Sequence, residues 1–217
     1  MSFLQTTEVI LKEKIIGVIR SNNLSAAKSQ LSCLYAAGLK VIEVSANNHE
    51  YAQIIDWAHS QFTDLTIGVA TIMCEAQLQK ASESAAQFFV SPVSDERMLQ
   101  RAKDLGKLFI PGACSPSEVS NIINYHPEFP IIKLFPVASA VAFEGLVKVF
   151  YKSNFLLSSF PVEQTELLIQ KGAKLFAVGS HFTEDLLQTA ERVKRMRELL
   201  SASSGQVSAS LGTTERF

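Results

Sequence analysis

The chain reads Ile15-Ile16-Gly17-Val18-Ile19-Arg20, then a helix-like stretch at 24–37 closed by Gly38, then Lys40-Val41-Ile42-Glu43-Val44-Ser45. Both short runs are almost continuously apolar and β-branched, as strands buried on two faces are. A glycine just past a helix supplies the usual left-handed cap. Strand, helix, strand in this order is a unit whose strands pair in parallel, because the helix provides the crossover.

Working outward, the alternation continues along the chain. Apolar runs recur at 65–71, 87–92, 108–113, 131–136, 155–159 and 175–180. Ser94-Asp95-Glu96 and Ser115-Pro116-Ser117-Glu118 carry cap residues and first-turn acids, the signals of a helix start. The stretch 184–200 has acids first and Lys/Arg towards its end. Eight strand–helix units predict an α/β fold, the closed (β/α)8 TIM barrel, at the small end of its size range. An open doubly wound sheet is the alternative, but no GxGxxG follows the first run. Residues 1–200 are expected to form one barrel domain. The Ser-, Gly- and Thr-rich stretch 201–217 is expected to be a disordered tail.

Composition narrows the function classes. The chain has 217 residues, 47% of them hydrophobic, enough to bury a core without disulfides. Twenty basic and 21 acidic side chains leave a net charge of −1, which argues against a broad nucleic-acid surface but not against a small anion. No apolar run approaches the roughly 20 residues of a membrane span. Met1-Ser2-Phe3-Leu4-Gln5 lacks the basic start and apolar block of a signal peptide. Cys33, Cys74 and Cys114 are odd in number and widely spaced, neither a disulfide framework nor a metal pair. A cytoplasmic protein is expected, with no membrane or nucleic-acid partner and no metal.

In a (β/α)8 barrel the chemistry lies at the C-terminal ends of the strands. Four polar residues fall on or at the ends of strands there: Arg20, Glu43, Thr71 and Lys133. Lys133 stands among large apolar side chains. Burial lowers a lysine pKa and frees the neutral amine, the nucleophile of Schiff-base chemistry. Its other reading is a buried stem whose ammonium reaches the rim. Glu43 is either the acid–base partner that imine chemistry requires or a structural counterion. His49, His59 and His126 show no metal-ligand spacing, and His181 follows the last run alone. Cys114 has no sequence-evident base.

Ile132-Lys133-Leu134-Phe135-Pro136 resembles the Schiff-base strand of the class I aldolases that cleave 2-keto-3-deoxy-6-phosphogluconate (KDPG) and 4-hydroxy-2-oxoglutarate (KHG), the KDPG/KHG aldolases. Val41-Ile42-Glu43-Val44 is similar to that family's glutamate strand, and Gly68-Val69-Ala70-Thr71 to its Gly-Ala-Gly-Thr. Phe89-Val90-Ser91-Pro92, Ile110-Pro111-Gly112 and Val178-Gly179-Ser180 follow in the family's order. The resemblance implies Lys133 and Glu43 as catalytic residues. It implies Arg20, Asn47, Thr71, Pro92, Phe135, Ser158, Ser159, Gly179 and Ser180 as substrate-binding residues. It also implies a 2-oxo acid substrate, pyruvate as product, no cofactor and a homotrimer.

The chain departs from the family twice. Asn47 stands where some members carry an arginine for the substrate carboxylate, and Arg20 matches members that place it after the first strand. The family's Pro-Thr-Gly-Gly, whose glycines cradle a distal phosphate, is here Leu157-Ser158-Ser159-Phe160. Ser159 and Phe160 are not expected to supply positive φ, and Phe160 is expected to fill phosphate space. Oxaloacetate decarboxylation by the same imine chemistry is an alternative activity. A non-catalytic barrel that binds a small anion is the alternative of a different class.

Overall fold

The computed structural model describes residues 1–179 and 186–210, with backbone alone at 186 and 204–210. The elements in order are α1 (Phe3–Glu13), β1 (Ile15–Ile19), α2 (Leu24–Ala36), β2 (Val41–Ser45), α3 (Tyr51–Gln61), β3 (Thr66–Ala70), α4 (Glu75–Ser82), β4 (Phe88–Val90), α5 (Glu96–Leu105), β5 (Leu108–Ile110), β6 (Gly112–Ala113), α6 (Pro116–Tyr125), β7 (Ile131–Leu134), α7 (Ala140–Val149), β8 (Asn154–Ser158), α8 (Thr165–Gln170), β9 (Leu175–Val178) and α9 (Leu186–Ser210). Every strand pair is parallel.

The sheet runs β5-β4-β3-β2-β1-β9-β8-β7-β6. Its two ends are neighbours in sequence, separated by Pro111 alone, so the sheet curls back on itself as a barrel. The run expected at 108–113 is thus two short strands. Proline has no N–H for the ladder and interrupts it there. The Pro111 carbonyl still accepts a 2.8 Å hydrogen bond from the Lys133 backbone N–H, which carries the pairing across the break.

Alternation along the strands sorts the apolar residues into two layers. Ile16, Val18, Val41, Phe88, Val90, Leu108, Ile110, Ile131, Leu156, Leu175 and Ala177 form one cluster, the barrel interior. Ile19, Ile42, Val44, Val69, Phe109, Ile132, Leu134 and Phe176 belong to the other, under the helices. Glu43 shares the parity of Val41, and Lys133 that of Ile131. Both therefore point inward.

Two glycines make room for this interior. A Cβ on Gly68 would lie 2.6 Å from the Phe88 carbonyl oxygen, and one on Gly112 only 2.2 Å from the Pro92 carbonyl carbon. Backbone atoms cannot swing aside as a side chain can. Gly112→Ala is expected to cost about 1–3 kcal/mol, read as a lower urea midpoint with an unchanged slope.

α1 precedes the first strand, outside the expected strand–helix units. Its signal is the reciprocal capping box of Ser2 and Gln5. Ile10 is 1% exposed and joins the interior cluster, so α1 closes the barrel's N-terminal end. Beyond residue 200, α9 continues to Ser210. Serine costs only a fraction of a kcal/mol against alanine within a helix, and no proline interrupts 201–210. Buried Val193, Met196 and Leu200 anchor the helix against the barrel. The rest of the expected tail, 211–217, lies outside the described residues. No helix among the described residues is long and apolar enough to cross a membrane.

Candidate active site

β2 and β7 carry the two inward ionisable side chains. Glu43 is 0% and Lys133 2% exposed, with Nζ 3.9 Å from Oε1. Neither Glu43 oxygen has a hydrogen-bond partner among the described residues. Burial pushes the Glu43 carboxyl above its ordinary range, against the pull of Lys133 and Arg20. Burial also pushes the Lys133 ammonium below its ordinary range. The negative form of Glu43 opposes that shift, while the positive charge of Arg20 adds to it. Both shifts favour neutral amine beside neutral acid, which is the pairing that imine formation uses.

A cavity of about 500 Å³ opens at the C-terminal ends of the strands. Arg20, Phe135, Ser158, Ser159 and Gly179 line it, together with Val18, Phe160, Pro161 and Val162. Val18 pairs in register with Glu43, which places the buried pair beside the cavity wall. The Phe135 ring centre is 5.7 Å from Lys133 Nζ. The structure thus brings together seven of the expected residues: Lys133, Glu43, Arg20, Phe135, Ser158, Ser159 and Gly179.

Thr71, Asn47 and Pro92 do not line this cavity. Thr71 is half-buried at the end of β3 with φ 62, a left-handed conformation that is costly for a β-branched residue. The Ser45 hydroxyl donates to its Oγ1 at 3.1 Å and helps to hold it there. Asn47 is exposed in the turn after β2. Pro92 is half-buried and packs its backbone against Gly112. Ser180 and His181 lie outside the described residues.

The loop after β8 corrects one expectation. Ser159 adopts φ 58 in place of a glycine, so the left-handed turn is kept. A single non-glycine residue in this region costs about 1–2 kcal/mol, which surrounding packing can supply. Phe160 contributes to that packing. Its ring meets Phe176 of the helix-side layer edge-on at 5.3 Å, so it forms cavity wall and does not stand free within the cavity.

Two of the remaining candidates, His126 and Cys114, have local partners. His126 caps the end of α6 and lies 3.0 Å from Glu96. The Cys114 thiol is pushed up by its hydrogen bond to Glu118, the opposite of what a nucleophile needs. Among the described residues no group of three or more His, Cys, Asp or Glu could hold a metal ion. Sequence reasoning missed Asn48, whose buried amide ties two loops of the site together. A lone asparagine in a polar turn carries no signal of such a tie.

The chain is similar to 2-dehydro-3-deoxy-phosphogluconate aldolase of Treponema pallidum, with 25% identity over 59% of this chain and 60% of that one. It is 27% identical to KHG/KDPG aldolase of Escherichia coli K12 over 51% of this chain and 52% of that one. The chain therefore aligns to less than two thirds of the length of these curated relatives. A crystal structure of KDPG aldolase from Legionella pneumophila, with pyruvate captured as a covalent carbinolamine, superposes with a TM-score of 0.73. The match covers 92% of this chain and 98% of that one at 22% identity, so it bears on the fold. The model of the KDPG and KHG aldolase family matches residues 6–199, from α1 into α9 and across the whole barrel, and the chain belongs to that family.

Proposed function

We propose that this protein is a class I aldolase that cleaves a 2-oxo acid to pyruvate and an aldehyde through a Schiff base on Lys133. The observation that carries this reading is the fully buried Lys133–Glu43 pair, 3.9 Å apart beside an open cavity. A solvated lysine is almost wholly protonated at neutral pH. One held in a low-dielectric interior gives up its proton more easily and can attack a carbonyl.

The neutral Nζ adds to the C2 carbonyl, and the former carbonyl oxygen takes a proton to give a carbinolamine. Loss of water, with a proton from Glu43, leaves a protonated imine. The iminium draws in the electrons of the C3–C4 bond as the C4 hydroxyl loses its proton. An aldehyde departs and an enamine of pyruvate is left. Protonation at C3 and addition of water release pyruvate and restore the amine. The cheap test is borohydride reduction in the presence of pyruvate. A reduced pyruvyl adduct on Lys133 is expected; an unmodified protein would leave a binding barrel.

The cavity wall bears on substrate size. Arg20 is the one cation lining it among the described residues, and Phe135, Phe160, Pro161 and Val162 make much of the rest apolar. An arginine fork suits a single carboxylate. A distal phosphate would have to rely on the turn at Ser159 and on serine hydroxyls. One missing charge-assisted bond weakens discrimination by about ten-fold or more. A shorter, unphosphorylated 2-oxo acid such as 4-hydroxy-2-oxoglutarate is therefore expected to show the higher kcat/KM against KDPG. A preference for KDPG would mean that the left-handed turn binds phosphate well without its glycines.

A further inference from the structure

Arg20 is exposed at the end of β1, and it forms no ion pair or hydrogen bond among the described residues. Arg20 nevertheless lines the cavity, and its charge is felt by both Glu43 and Lys133. A long, unpaired side chain of this kind is usually mobile, and its reach depends on how firmly its backbone is held.

The backbone is held from the next strand. Asn48 is 2% exposed, an unusual burial for an amide in a turn. Its Nδ2 donates to the Ser21 carbonyl at 2.5 Å, directly after Arg20. Its Oδ1 accepts from the Glu50 backbone N–H at 2.7 Å. Its own N–H donates to the Ser45 carbonyl at 3.0 Å, and its carbonyl accepts from Tyr51 N–H at 3.1 Å. Asn48 is thus fixed on β2 and α3 through three bonds and reaches across to the β1 loop with the fourth. Among the described residues the Ser21 side chain hydrogen-bonds Asn23 alone, within its own loop.

We propose that Asn48 is a positioning residue: it clamps the loop after β1 and thereby holds Arg20 over the Lys133–Glu43 pair, where the substrate carboxylate binds. The proposal rests on the Schiff-base reading above. It adds that the carboxylate affinity of this site is set by a neutral amide at a neighbouring strand end, which touches neither substrate nor the reacting atoms.

The test is a double-mutant cycle on Asn48 and Arg20, read as the pyruvate concentration that half-saturates borohydride trapping. The wild type must first trap pyruvate; if it does not, the Schiff-base reading fails and this proposal falls with it. Arg20→Met is expected to raise the half-saturating concentration about ten-fold or more, the worth of a charge-assisted contact. Asn48→Ala is expected to raise it several-fold while the trapping rate at saturation stays within about two-fold. The double variant is expected to resemble Arg20→Met alone, because groups that act through one another are not additive. Asn48→Asp separates the two bonds. It keeps the acceptor for Glu50 and loses the donor to Ser21, so it should be as impaired as Asn48→Ala. Effects that multiply in the double variant, or an Asn48→Asp protein with wild-type half-saturation, would overturn the proposal. A purely structural role predicts a lower Tm with an unmoved half-saturation, and that result overturns it too.

Discussion

Lys133→Met is expected to lose pyruvate trapping and turnover together, by about 10⁴-fold or more, as the loss of a covalent nucleophile does. The barrel is expected to stay folded. Methionine is close to the lysine stem in length and apolar, so the interior position stays filled. Removing one member of a buried ion pair usually destabilises strongly because the other charge is left alone. Here the partner has an escape. Burial already pushes the Glu43 carboxyl up, and the charge of Lys133 is the foremost force opposing that. Without it the upward push of burial on Glu43 is opposed by less, which favours the neutral acid over a bare carboxylate in the interior. Circular dichroism should therefore show a native spectrum and a Tm within a few degrees of wild type. A Lys133→Met protein that still turns over the same substrate would remove Lys133 from the mechanism.

The wild-type pH profile follows from the same pair. Trapping needs neutral Lys133, and desolvation moves that amine below the ordinary value of 10.5. The rate should therefore rise with pH at lower pH than for a solvated lysine. Dehydration needs a proton on Glu43, and desolvation moves that group above 4.5. The falling limb should accordingly lie higher than for a solvated carboxyl. The two limbs belong to the coupled pair and not to either residue alone.

Glu43→Gln carries the second large effect. The side chain keeps its shape and loses its exchangeable proton. General acid–base groups contribute roughly 10²–10⁴-fold, and kcat is expected to fall by about that much while KM changes little. The pH dependence gives an independent sign. Negative Glu43 raises the Lys133 pKa, so its removal should move the rising limb of trapping to lower pH. A structural counterion would show the shifted limb with a normal maximum. The acid–base role predicts a shifted limb with a depressed maximum.

The proposed chemistry of this site is legible in the sequence because its two central residues violate their surroundings. An ionisable side chain within a β-branched strand is costly unless used or paired. Glu43 in Val41–Ser45 and Lys133 in Ile131–Leu134 are each conspicuous for that reason. The parity of a strand then puts both on one face without any knowledge of their contact. α1 also has a local signal, since Ser2 and Gln5 stand at capping-box spacing. The loop after β8 misleads because residue type there does not report backbone conformation. Ser159 occupies the left-handed region at a cost that the fold covers.

Sequence by itself determined the order of strands and helices, the parallel sheet, the inward faces of β2 and β7 and the family resemblance. All of these rest on local periodicity or on contiguous motifs. The tertiary structure alone decided that the sheet curls back on itself at Pro111, that Glu43 and Lys133 stand 3.9 Å apart, and that both are buried. It alone decided that Arg20 shares their field and that the Asn48 amide donates to the Ser21 carbonyl of the loop after β1. The physical reason is range. Periodicity is written into neighbouring residues, whereas desolvation and charge coupling depend on groups that closure of the barrel brings together from strands far apart in the chain.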